Sequence, residues 1–181
     1  MDNFDYKNKK WMTPRSTRYG GLFVENTHLG FVEGKEFRAF HDFSLANNGV
    51  SVLKFYAPIQ FILHEQGFSL IEGELKFEAL LGGTEGGSFS TAVPIFGKNR
   101  SSERPEPYYE RQIVLTTGGT HTGGTNSETV RLKAANNSNF ASTVGGVSTN
   151  IRFLPAGTYY LKFTATGATR GVYSITWEER P

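Results

Sequence analysis

The sequence predicts an all-β fold, a jelly-roll-like β-sandwich of about ten strands behind an extended N-terminal arm. Three observations predict it. Runs of alternating apolar and polar residues recur between turn dipeptides, as half-buried strands require. Most of the 15 phenylalanines fall inside those runs, and most of the 21 glycines fall between them. No stretch carries a convincing helical period.

At 181 residues the chain suits a single domain, read here as residues 21–181 behind an arm of residues 1–20. A core of that size buries roughly 70% of the unfolded surface. The chain has no cysteine, which excludes a disulfide scaffold, a thiolate metal site and a cysteine nucleophile. No run of 18 apolar residues exists, and the first residues lack the apolar stretch of a signal peptide. The expectation is therefore no membrane partner and assembly in a reducing cytoplasm.

The arm comes first in the chain. It holds Lys7, Lys9, Lys10, Arg15 and Arg18 against Asp2 and Asp5, a net of +3, while the rest of the chain nets −1. Phe4, Tyr6, Trp11 and Tyr19 are scattered among these charges without strand or helix period. A solvated terminus is the plain alternative. Aromatics interleaved with cations favour docking on a partner, with Lys7, Lys9, Lys10, Trp11, Arg15, Arg18 and Tyr19 as the binding set.

Glu36–Leu45 alternates, with Phe37, Ala39, His41, Phe43 and Leu45 on one face. Asn47-Asn48-Gly49 turns the chain, because Asn and Gly tolerate positive φ. Residues 50–56 form the next strand, stopped by Pro58, and 60–64 a short one. Residues 68–81 read as one long bent strand with a bulge at Gly73, since the apolar face shifts across that glycine. GGTEGGS at 82–88 is a loop, 89–96 a strand and 98–107 a charged, proline-bearing loop. Residues 109–117 are a strand, GGTHTGG a turn, 128–133 a strand and 134–146 a polar loop. Residues 151–154 are a short strand ended by Pro155-Ala156-Gly157. Residues 158–166 and 172–179 alternate well, and 167–171 joins them as a final hairpin. The inward phenylalanines are Phe37, Phe43, Phe77, Phe153 and Phe163.

Catalytic and metal signatures are sparse. His28, His41, His64 and His121 form no HxH, HxxxH or HExxH pair. His41 reads as a core histidine satisfied by one hydrogen bond, His64 as half of a surface ion pair with Glu65, and His121 as a mobile loop tip. G-x-S-x-G is absent, and Ser88 and Ser148 have no histidine nearby in sequence. Glu72, Glu74 and Glu78 flank Lys76 on a strand, where a solvated face explains them better than a glycosidase pair. The glycine clusters lack the phosphate-loop pattern. The body of the chain has no basic excess, so no nucleic-acid partner is expected. These readings lead to no enzyme, no cofactor and no metal.

A recurring layout then stands out. Gly34-Lys35-Glu36-Phe37 opens a strand, and a long strand ends in GGTEGG. Lys98-Asn99-Arg100 forms an Asn-Arg loop, and Thr116-Thr117-Gly118-Gly119-Thr120 a threonine-rich turn. Phe153-Leu154-Pro155-Ala156-Gly157-Thr158-Tyr159 and Ile175-Thr176-Trp177-Glu178-Glu179 close the chain. This order resembles the tailed-bacteriophage head decoration, or capsid cement, proteins. It spans about residues 34–179 and departs from them at Arg104-Pro105-Glu106-Pro107 and in the arm. The resemblance implies a β-sandwich on the capsid exterior, a homotrimer that bridges major capsid protein subunits. The alternative is a tail-fibre or lectin-like module that binds glycan through loops 82–88, 118–127 and 134–148, with His121 and Phe140 as contacts. A hydrolase is the third class, with no acid/base pair to support it.

Overall fold

The computed structural model describes residues 4–5, 10–11, 29–99, 109–134 and 151–181. Within the arm, Phe4–Asp5 (β1) and Lys10–Trp11 (β2) form a short antiparallel ladder with Phe4 opposite Trp11. One helical turn, Leu29–Val32 (α1), precedes the strands. These are Glu36–Leu45 (β3), Val50–Ala57 (β4), Gln60–Glu72 (β5), Glu74–Leu81 (β6), Thr84–Gly86 (β7), Thr91–Ala92 (β8) and Ile95–Gly97 (β9). Val114–Thr117 (β10), Thr120–Thr122 (β11), Thr125–Lys133 (β12), Arg152–Leu154 (β13), Gly157–Ala165 (β14) and Thr169–Arg180 (β15) follow.

The protein is all-β. One sheet has the order β12-β6-β14-β4-β10-β8 and the other β13-β5-β15-β3-β9, packed as a sandwich. A third small sheet pairs β7 with β11. The first four long strands each pair antiparallel with a strand of the second half, taken in reverse: β3 with β15, β4 with β14, β5 with β13, and β6 with β12. The chain is thus folded back on itself as a double ribbon, and the ribbon is wrapped so that successive strands change sheet.

The core follows from the alternation. Phe37, Phe43, Phe55, Phe61, Phe68, Phe77, Phe163, Tyr173 and Trp177 point between the sheets and are buried. Each such side chain contributes about 1.5–3 kcal/mol of transfer free energy on burial. Phe77 stands edge-on to Phe68 at 4.9 Å, and Phe55 edge-on to Trp177 at 5.3 Å. Edge-to-face geometry suits ring quadrupoles and adds to the area term. Phe153 does not join them: it is 72% exposed, because β13 is a three-residue edge strand that turns this side chain outward.

Several connections differ from the sequence expectation. Residues 60–72 are one continuous strand, and Gly73 is the corner that carries the chain to the other sheet, not a bulge. Its φ of 84° is left-handed, and a Cβ there would lie 2.2 Å from the Ala168 carbonyl oxygen. Changing sheet reverses which residues face the core, which is why the apolar face shifts there. The polar Gln66 and Gly67 hide the strand's continuity at the sequence level.

Residues 165–169 are likewise a crossing between sheets and not a hairpin, since β14 and β15 belong to different sheets. The 89–96 segment pairs only at Thr91–Ala92 and at Ile95–Gly97, with Pro94 between them. The glycine-rich stretches 82–88 and 118–124 are not free loops. Thr84–Gly86 and Thr120–Thr122 find each other as β7 and β11.

Candidate functional site

Among the described residues, several regions bring chemistry-bearing side chains together. The first lies on the outer face of the five-stranded sheet. Alternation along β3 turns Arg38 and Phe40 outward, and β9 sets Phe96 opposite Arg38. The Arg38 guanidinium carbon stands 4.6 Å above the Phe40 ring, and the Phe40 and Phe96 centroids are 6.5 Å apart. With Gly97 and Lys98 they line a recess of about 440 Å³. Phe40 and Phe96 are each 42% exposed. Exposed aromatics beside cations are the composition from which interface anchors are drawn.

The second is a cleft of about 280 Å³ where the β12 and β13 edges of the two sheets part. Its floor is Phe55, Phe61, Leu63, Leu161 and Ile175, and Tyr159 donates to the Pro155 carbonyl at 2.7 Å to close the adjoining turn. Polar groups gather at one side. Arg152 donates to both oxygens of Glu128, at 2.9 and 3.2 Å. Gln66 donates to Glu128 Oε2 at 3.0 Å and accepts from the Tyr173 hydroxyl at 2.6 Å. Burial pushes the Tyr173 phenol well above its ordinary value, so that hydroxyl stays a donor.

The third is the β7–β11 flap, which covers the outer face of the six-stranded sheet. Beneath it Val52, Leu80 and Tyr160 form a small second core with Phe89 against them. Tyr160 donates to Glu85 Oε1 at 2.5 Å, and Lys54 pairs with the same oxygen at 2.6 Å. Those bonds, Lys54 first, hold the Glu85 carboxyl below its usual range, while burial and then Glu85 push Tyr160 up to about 12. His121 is buried, stacked on Tyr160 at 3.9 Å, with Nε2 2.8 Å from the Gly82 carbonyl oxygen. It is an interior fastener and not a mobile loop tip. The missing sequence signal was its partner: Tyr160 lies in a distant strand.

A carboxylate in the core holds the segment before β10. Glu179 is 0% exposed; Oε2 accepts from the Tyr109 hydroxyl at 2.9 Å and the Gln112 amide at 2.8 Å, and Oε1 from the Ile113 amide at 3.0 Å. Burial and this acceptor raise the Tyr109 phenol pKa. Hydrogen bonds to a charged acceptor contribute about 1.5–3 kcal/mol each, which offsets the desolvation of Glu179.

His41 lies 3.4 Å from the Ser51 hydroxyl on the inward face of β3, but it is half-buried and not a full core residue. His64 does not pair with Glu65; its Nε2 is 3.3 Å from Glu178 Oε2 on the neighbouring strand. Glu72, Glu74 and Glu78 pair with Arg170, Lys133 and Lys76 on the surface, as a solvated face predicts.

Of the arm's binding set, Lys10 and Trp11 lie in β2, where their backbone pairs with β1. Lys7, Lys9, Arg15, Arg18 and Tyr19 fall outside the described residues, as do Phe140, Ser148, His28 and the 104–107 insertion. Among the described residues, no helix is long and apolar enough to cross a membrane. No protein-family model, no curated protein and no solved structure matches the chain.

Proposed function

We propose that the protein is a structural, non-enzymatic virion component. It decorates the outside of a phage capsid and bridges major capsid protein subunits as a homotrimer. The chain's wrapped double ribbon supports reading the sandwich as a jelly roll, with four strands of each half paired in reverse order. The observation that carries the functional reading is the Arg38–Phe40–Phe96–Lys98 recess. It repeats on a rigid sheet the chemistry of the arm, cations interleaved with aromatics. Two such surfaces let one subunit spread its contacts over more than one capsid protein. The motif order from Gly34 to Glu179 supports the choice of partner. The glycan-binding alternative loses His121 as a contact, because that side chain is interior.

The test is co-sedimentation with shells assembled from the major capsid protein. Wild-type chain should pellet with shells at a saturable ratio. Deleting residues 1–20, or combining Phe40→Ala with Phe96→Ala, should abolish pelleting while the sandwich keeps its far-ultraviolet spectrum. Undiminished pelleting by both variants would sink the proposal, as would a monomeric mass for the shell-bound protein.

A further inference from the structure

Glu36, His64 and Glu178 meet on the outer face of the five-stranded sheet, from three neighbouring strands. Glu178 of β15 stands opposite Glu36 of β3 on one side and Ile62 of β5 on the other, with His64 two residues further along β5. One ligand atom from each of the three lies within 4.8 Å of the others. A single ion bound at about 2.0–2.2 Å by nitrogen and oxygen needs only a small side-chain adjustment to draw these atoms in.

A second observation is independent of that grouping. Glu178 is 2% exposed, yet its Oε1 accepts no hydrogen bond. Arg180 Nε is 3.0 Å from it, within ion-pair distance, but neither atom makes a hydrogen bond. The other oxygen has the 3.3 Å contact to His64 Nε2. The α1 turn closes over this carboxylate: a Cβ on Gly30 would lie 2.1 Å from Glu178 Cδ. Glycine at that position leaves the turn room to approach. The carboxylate is thus ion-paired but weakly hydrogen-bonded, with one long contact to His64 and none at Oε1, which leaves lone pairs facing the cluster for a cation to take.

We infer that Glu36, His64 and Glu178 form a divalent-cation site, with Glu36 and Glu178 giving one oxygen each and His64 giving Nε2. One imidazole with two carboxylates suits Zn²⁺ or Mn²⁺ better than Ca²⁺, which takes oxygen ligands throughout. Charge balance is conserved on binding. The two carboxylates face Lys98, which donates to Glu36 Oε2 at 2.7 Å, and Arg180. Both cationic side chains are more than a third exposed and are free to swing into water. One divalent ion then replaces two monovalent groups. The bound ion joins β3, β15 and β5, and holds them under the α1 turn.

The experiment uses the full chain, stripped with chelator and dialysed, then titrated separately with ZnCl₂ and MnCl₂. Calorimetry should give one equivalent of saturable uptake. Thermal unfolding should shift up by about 5–10 °C at a hundredfold excess over Kd. His64→Ala changes a partly exposed side chain and should keep the apo fold while weakening uptake at least tenfold; Glu36→Gln should do the same. Cobalt(II) should give a visible d–d band in wild type that His64→Ala alters. Failure of saturable uptake, wild-type affinity in both variants, or a melting temperature indifferent to metal would overturn the site. An ordered water at Glu178 Oε1 gives that last result. None of these readouts involves capsid shells, so this proposal and the decoration reading fail separately.

Discussion

The side chains that decide this protein's behaviour are polar groups placed where alternation allows only apolar ones. His41 is the clearest. It stands on the inward face of β3 beside Phe43 and Phe163, and burial holds its imidazole below the usual 6.5, against the opposing charge of Asp42. Above pH 6.5 both folded and unfolded chains carry it neutral, and it costs nothing. As pH falls, the unfolded chain takes up the proton first, so stability is lost from about 6.5 down to the folded value. The expected outcome is that His41→Gln flattens this part of the curve of unfolding free energy against pH, measured by urea denaturation. An unchanged slope would show that burial does not depress His41. The inward position of His41 was legible from period-two alternation. The roles of His121 and Glu179 were not, because both are defined by partners dozens of residues away. A strand pattern carries no information about which distant loop lands on it.

At the level of elements, the strands themselves were legible and their connections were not. Alternation located β3, β4, β12, β14 and β15 to within a few residues. It could not say that Gly73 changes sheets, since a bulge and a corner both shift the apolar face. Nor could it pair β7 with β11, two glycine-rich stretches with little apolar content of their own. That flap is held by side chains more than by its three-residue ladder. Tyr160→Phe keeps the ring stacked on His121 and removes the hydroxyl that Glu85 accepts from. Hydrogen exchange at the amides of β7 and β11 should then accelerate about tenfold or more, as loss of a charge-assisted bond implies. The core amides of β15 should be unaffected. Uniform acceleration would mean that the flap and the sandwich open as one unit.

The whole molecule is governed by its reversed pairing. Every long ladder between the two halves joins residues far apart in sequence, so loop-closure entropy must be met before most of the core forms. Refolding on the millisecond-to-second scale is expected for such a topology. Trp177 is fully buried and gives a direct fluorescence signal, best read in a Trp11→Phe background. A microsecond phase accounting for all the amplitude would contradict it.

The place of β14 and β15 in the sheet orders also bears on how the protein is made. Each is an interior strand, β14 between β6 and β4, β15 between β5 and β3. A ribosome releases them after every other described strand. Until residues 157–180 emerge, β3 and β5 lack the strand that joins them, β4 and β6 lack theirs, and both sheets present open edges. Open edges pair with whatever strand is near, including those of sibling chains on the same message. The nascent chain therefore spends most of its synthesis as a set of unclaimed strands. Shielding by a chaperone, or a fast final stretch of translation, matters more here than for a protein whose sheets grow from hairpins.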